Sequence, residues 1–241
     1  MDNTDSDLVN HNADEHKPVK SMTTEQADYN NIMREAAYRG NINIVKLMLE
    51  KGATNCSTVM IPAALNGHID IIKLLLSHGA NSHQRAMNIA AEYGHIDIVK
   101  LLSERATNYN STMDSAAKGG HMDIVKLMLE KGATNYNSTM ASAAKGGKAS
   151  SEAFAGTGLI RTGSDHMDIV KLMLEKGADD YNEAMRDSGN IDIVKLMLEH
   201  GANNYQKTMD YAVGHGCKDI INLMLEKGAT FSAVSPCYRD D

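Results

Sequence analysis

The thirteen residues HMDIVKLMLEKGA occupy His121 to Ala133 and stand again, letter for letter, at His166 to Ala178. Aligning the residue before each version of this motif gives Gly40, Gly67, Gly94, Gly120, Asp165, Gly189 and Gly216, at steps of 27, 27, 26, 45, 24 and 27. The fourth step is 27 plus 18, and the excess is the segment KASSEAFAGTGLIRTGSD at residues 148–165. A fixed period of this size marks a stack of like units in which each unit forms part of its neighbour's core.

Each unit reads as two short helices. The first is typified by STMDSAAKGG at Ser111 to Gly120 and the second by DIVKLMLEKG at Asp123 to Gly132. Asp70, Asp97, Asp123, Asp168, Asp192 and Asp219, with Asn43 in the first unit, are expected to cap the second helices. Gly52, Gly79, Gly132, Gly177, Gly201 and Gly228 are expected to end them in the left-handed conformation. In the second helix Ile124, Val125, Leu127, Met128 and Leu129 cover most of the circumference and leave Lys126, Glu130 and Lys131 for water, so it must be covered on both sides. Paired alanines in the first helix (Ala36 and Ala37, Ala63 and Ala64, Ala90 and Ala91, Ala116 and Ala117, Ala143 and Ala144) allow close helix approach.

These residues resemble the ankyrin repeat, whose pattern TPLHxAAxxGHxDIVxLLLxxGA is matched by STMxSAAKGGHMDIVKLMLEKGA over roughly Tyr29 to Ala229. The resemblance implies an all-α, ankyrin-like solenoid of about seven stacked helix-turn-helix repeats. The ankyrin period is about 33, and the missing residues fall between GA and ST. The family's hairpin finger is therefore expected to shrink to a turn such as TNYN. Short-fingered, nearly uniform arrays are similar to those carried by large DNA viruses of protists, which implies an intracellular protein in the cytoplasm of a host cell. The TPLH proline is absent. Pro62 stands within MIPAALNG, where it is expected to lie in the first turn of its helix. Repeat three lacks its capping glycine, reading LLSERA at Leu101 to Ala106, and repeat six has a shortened first helix; both junctions are candidate bends.

Composition narrows the function. The chain has 241 residues, 42% hydrophobic, with no Trp, two Phe and 16 Met, which suits small helices packed in layers. A formal charge of -7 argues against phosphate neutralisation and hence against nucleic acid. Cys56, Cys217 and Cys237 are odd in number and widely spaced, which predicts free thiols rather than disulfides or a zinc site. Nothing in MDNTDSDLVNHNADEHKPVK has the basic start and apolar core of a secretory signal, and no run approaches a membrane span. Residues 1–28 carry seven acidic residues against Lys17 and Lys20, the composition of a disordered tail. The repeat domain is expected at residues 29–229, with residues 230–241 (the last eleven being FSAVSPCYRDD) as a cap or frayed end.

The candidate binding residues form a row. Tyr29, Tyr109, Tyr136, Tyr181 and Tyr205 recur just ahead of the first helix, with Cys56 and His83 at that place in repeats two and three. The resemblance places this region toward a partner, so the rings are candidate anchors; the competing reading is a staple over the following helix. Asn135 and Asn137 beside them suit turns, with their exposed remainder open to a partner. His68, His95, His121 and His166 recur too, but stacked helices lie about 8–10 Å apart, too far to share a metal ion, so they are read as structural hydrogen bonders. The insert carries Phe154, Leu159 and Ile160, read as a mobile loop or a short linear motif for a second partner, and its GTG and RTG do not make a phosphate loop. No nucleophile, base and orienting group recur together. The sequence thus predicts a monomeric, non-catalytic scaffold with no cofactor and no metal. It would bind a partner protein through the concave face of the stack; the alternatives are a structurally intact but idle duplicate or an enzyme.

Overall fold

The computed structural model describes residues 24–147 and 163–231, and these form a run of helices with no strand among the described residues. The first helices of the seven repeats are α1 (Thr24–Tyr38), α3 (Cys56–Leu65), α5 (His83–Glu92), α7 (Tyr109–Gly119), α9 (Tyr136–Gly146), α11 (Tyr181–Arg186) and α13 (Tyr205–Gly214). The second helices are α2 (Ile42–Glu50), α4 (Ile69–Ser77), α6 (Ile96–Leu102), α8 (Met122–Glu130), α10 (Gly163–Glu175), α12 (Ile191–Glu199) and α14 (Lys218–Glu226). Within each repeat the two helices pack on one another, and each first helix packs on that of the next repeat.

The periodic sequence explains the core directly. One methionine per first helix (Met33, Met60, Met87, Met113, Met140, Met185 and Met209) is wholly shielded from water. The paired alanines lie beside these methionines, and Ala63, Ala64, Ala90, Ala91, Ala116, Ala117, Ala143 and Ala144 are likewise fully buried. Small side chains at that register bring the helices close, while unbranched methionines fill the irregular gaps left between them. Ile124, Val125 and Met128 of α8 face this core, with Leu127 and Leu129 half-buried and Lys126 and Glu130 in water, as the pattern predicts.

The joints differ from expectation in instructive ways. The aspartates are not the N-caps. The capping position falls on His68, His95, His121, Asn190 and Cys217, and each aspartate there lies two residues later, in the first helical turn. A carboxylate there still meets free amide hydrogens and the positive end of the helix dipole; Asp123 Oδ1 accepts from the Ile124 N–H at 2.9 Å. Asp168 sits well inside α10, because that helix begins at Gly163, within the 148–165 segment. The predicted glycine ends do occur, with Gly52, Gly79, Gly132, Gly177, Gly201 and Gly228 all at positive φ.

Pro62 is not in the first turn. It is the seventh residue of α3, so the helix runs through it with one backbone hydrogen bond fewer, since proline has no N–H to offer the Thr58 carbonyl. Repeat three, lacking its glycine, closes α6 after seven residues and turns through bonds from Arg105 N and Ala106 N to the Leu102 carbonyl, both 2.9 Å. Repeat six has the shortest first helix among those described, six residues in α11. The N-terminal boundary also moves, since α1 begins at Thr24 and takes in residues 24–28 that composition assigned to a tail. The rest of that tail, most of the insert with Phe154, Leu159 and Ile160, and the last ten residues with Cys237 lie outside the described residues.

Candidate interaction surface

A stack that presents a surface must first hold its units in register, and three sets of side chains do so here. The first set follows the tyrosine position. Asn110 Oδ1 accepts from the backbone N–H groups of Thr134 and Asn135 in the next repeat, at 2.7 and 3.1 Å. Asn30 does the same for Thr54 and Asn55, Asn137 for Asp179 and Asp180, and Asn182 for Asn203 and Asn204. Where the residue is not Asn, its substitute still accepts: Ser57 Oγ from Asn81 N, Gln84 Oε1 from Asn108 N and Gln206 Oε1 from Thr230 N. Each of the first six repeats thus clasps the turn of the next, and the seventh clasps the turn at Thr230 that follows it. The turn amides, which a hairpin finger would pair with other backbone, are satisfied by one side chain instead.

The histidines form the second set. His68, His95, His121 and His166 donate from Nε2 to the carbonyls of Tyr38, Leu65, Glu92 and Lys118 in the first helix of the preceding repeat, at 3.2, 2.9, 3.1 and 3.1 Å. Because a carbonyl can only accept, the bonds require the Nε2–H tautomer. Each ring lies over the left-handed glycine of the repeat before; a Cβ on Gly94 would stand 2.5 Å from His121 Cε1. This is the structural role read for these residues. In repeats six and seven the position is Asn190 and Cys217, and among the described residues neither side chain bonds to the preceding first helix.

The third set lies between first helices. Thr112 Oγ1 donates to Asn88 Oδ1 at 2.7 Å, and Ser138 Oγ and Thr139 Oγ1 donate to the two carboxylate oxygens of Asp114 at 2.7 and 2.6 Å. Thr112, Thr139 and Thr208 are fully buried, each with a hydroxyl bond to a backbone carbonyl four residues earlier.

With the joints in view, the source of the pattern can be tested against known proteins. A family model described as ankyrin repeats (3 copies) matches residues 3–85 and 32–113. Over residues 3–113 the chain is an ankyrin-repeat protein. The repeats beyond residue 113 carry the same motif, including the verbatim copy at His166 to Ala178. No curated protein matches this ankyrin chain. Ankyrin repeats in general mediate protein–protein interaction and are typically non-enzymatic.

The tyrosine row of the ankyrin stack stands on the helices rather than ahead of them. Tyr109, Tyr136, Tyr181 and Tyr205 are the first residues of α7, α9, α11 and α13, and Tyr29 lies inside α1. All five are half-buried against the core. The Tyr109 hydroxyl donates to the Ser103 carbonyl at 3.2 Å while Lys131 Nζ lies 5.8 Å from the ring centroid. The Tyr181 ring meets His200 with centroids 5.4 Å apart. The Tyr109 and Tyr181 rings thus meet the ends of second helices at Ser103, Lys131 and His200. Asn137 has its amide engaged in the clasp, its Nδ2 also donating to Asp179 Oδ1 at 2.9 Å. Asn135 is exposed, and its side chain makes no capping bond.

Sequence reasoning missed the clasp. The signal was present: the residue after each tyrosine position is Asn, Ser or Gln in all seven repeats. It went unread because these residues also suit local turns, and nothing in one repeat shows that the acceptor reaches into the next.

The chemistry available elsewhere is limited. Among the described residues no group of three or more His, Cys, Asp or Glu is placed to hold a metal ion. Cys56 is buried and Cys217 half-buried, both as free thiols. Burial pushes the Cys56 thiol above its usual range, which keeps it protonated and unreactive. Arg186 is held in its charged form, above its usual range, chiefly by its hydrogen bond to Asp187. No described helix is long and apolar enough to cross a membrane.

Proposed function

We propose that this ankyrin-repeat chain is a non-catalytic scaffold that binds a partner protein through the face made by the first helices and the turns that precede them. The observation that carries this reading is where the repeats vary. On the second helices the outward position is Lys46, Lys73, Lys100, Lys126, Lys171 and Lys195, exposed each time and changed only at Asn222. On the first helices the third residue of each unit is Asn31, Thr58, Arg85, Ser111, Ser138, Glu183 and Lys207, and the sixth is Arg34, Ile61, Asn88, Asp114, Ala141, Arg186 and Asp210. An array copied from one unit keeps what its joints require. Asn88, Asp114 and Ser138 are taken up by the joints, but variation at the exposed Asn31, Arg34, Thr58, Arg85, Glu183, Lys207 and Asp210, against sameness on the other face, supports recognition on the varied face.

The joints support the same reading energetically. A surface already fixed by clasps and histidine bonds loses little freedom on association, so less interaction energy is spent on ordering. Tyr29, Tyr109, Tyr136, Tyr181 and Tyr205, with Asn135, border this face, and their open edges extend it. Asn137 acts on binding only through the position of the turn it clasps.

The test is capture of the partner from lysate of the source organism by two charge-altered variants. Lys126, Lys171 and Lys195 changed to Glu alter the second-helix face; Arg85, Arg34 and Lys207 changed to Glu alter the first-helix face. The expected result is loss of the same bound protein with the second set only. Retention with that set and loss with the other would overturn the assignment.

A further inference from the structure

Across repeats one to three the first-helix face is not the small, polar surface found farther along. Here Tyr38, Ile61, Pro62, Leu65, Arg34 and Arg85 line a hollow of about 520 Å³. In repeat four the positions matching Ile61, Pro62 and Leu65 are Asp114, Ser115 and Lys118; in repeat five they are Ala141, Ser142 and Lys145. The apolar group is thus a local departure from a near-uniform array. Tyr38 is 50% exposed, whereas the core tolerates almost no exposure of its apolar side chains.

The charges at the edge of this hollow have one sign left over. Glu35, which also lines it, is paired with Arg39 through a 2.6 Å contact. Arg34 and Arg85 are exposed and have no ion pair or hydrogen bond among the described residues. On a chain of net charge -7, two uncommitted guanidinium groups flanking apolar side chains mark a place suited to carboxylates.

We propose that this hollow is the recognition site for an acidic peptide segment of a partner protein. A large apolar side chain of that segment packs against Tyr38, Ile61, Pro62 and Leu65, while flanking carboxylates pair with Arg34 and Arg85. The inference rests on the scaffold reading and names where on that face the energy is concentrated. Burial of one apolar anchor beside Tyr and Arg matches the composition of binding hot spots.

The test uses random linear peptides displayed on phage and selected on the full chain, followed by fluorescence anisotropy with the enriched sequence as a labelled peptide. The expected winners carry an aromatic or aliphatic residue flanked by Asp or Glu. Their affinity should fall about tenfold or more with Arg34→Glu plus Arg85→Glu, and similarly with Ile61→Ser. Replacing the peptide's acids by amides should do the same, and Lys207→Glu should change nothing. Both arginines are exposed, so the charge variants keep the fold, verified by their melting curves. Winners without acids, or winners indifferent to the arginine and Ile61 changes but lost with Lys207→Glu, overturn the hollow and leave the scaffold reading standing. Failure of any peptide to enrich, together with partner capture lost only by the second-helix variant, overturns both.

Discussion

Replacing Asn137 by Ala separates joint from binding site more sharply than any other single change. Its Oδ1 accepts from Asp179 N at 2.8 Å and Asp180 N at 3.1 Å, and its Nδ2 donates to Asp179 Oδ1 at 2.9 Å. A hydrogen bond contributes about 0.5–1.5 kcal/mol net. These three are exposed, so water replaces part of what is lost and the lower end applies, giving about 1–2 kcal/mol for the set. For a stack of this length about 1 kcal/mol moves the melting temperature by about 2–4 °C, so the variant should melt about 2–8 °C lower. The loss should be local as well. Exchange of the Asp179 and Asp180 amide hydrogens should speed up about fivefold or more, since about 1.4 kcal/mol is tenfold in an equilibrium constant. Asn135→Ala, two residues away with no capping bond to lose, should stay within about 0.5 kcal/mol of the parent. Circular-dichroism melts and amide exchange on both variants decide the matter. Equal melting temperatures, or Asp179 and Asp180 amides as protected as before, would refute the clasp as an energetic joint.

Three further outcomes follow from the same geometry. Gly94→Ala should cost at least about 2 kcal/mol, because φ of 81° is strained for Ala and its Cβ would meet His121 Cε1 at 2.5 Å; Gly52→Ala, equally left-handed but with open space around it, should cost only about 1 kcal/mol in urea unfolding. Pro62→Ala restores an N–H to the Thr58 carbonyl and should raise stability by about 1–3 kcal/mol, the sign being checked by the shift in the urea midpoint. With iodoacetamide at mildly alkaline pH, mass spectrometry should find Cys217 alkylated well before Cys56, whose thiolate is disfavoured by burial.

The fold was legible because its information is local and repeated. Helix two is written in the spacing of Ile124, Val125 and Met128, and the left-handed ends in Gly132 and its equivalents, so one repeat read correctly is all seven. Two kinds of error arose where a residue's role depends on what lies across a joint. The aspartates were read as caps because Asp is an excellent cap, but the backbone at His121 takes that place while its ring reaches back to Glu92, which shifts the helix start ahead of Asp123. Pro62 was put in a first turn by the same local logic. The helix in fact starts at Cys56, and the lost bond falls on a wall open to solvent rather than in the core. The site itself was only partly legible. The tyrosine register could be counted, but whether a ring faces a partner or a neighbouring helix depends on the packing of repeats, which no single unit specifies.

The same joints explain how the array accommodates an extra 18 residues within repeat five. A stack tolerates an insertion wherever the units on either side still meet, because lengthening a connection costs only about 0.6 kcal/mol per doubling. Beyond the insertion His166 still reaches the Lys118 carbonyl, 48 positions back in sequence, and Asn137 still holds the amides of Asp179 and Asp180, more than 40 positions ahead. Both are the contacts that uninterrupted repeats make across fewer residues, 29 from His121 to Glu92 and 24 from Asn110 to Thr134. The register therefore survives because it is set by side chains that span the joint and not by the length of the connection. Repeat six has neither the histidine nor a full first helix, so it relies on Asn137 and Asn182 more than any other repeat relies on its clasps. It follows that changes at Asn137 should loosen repeats six and seven together, whereas Asn110→Ala, backed by the His166 bond and the Asp114 pair across the same joint, should be the milder of the two.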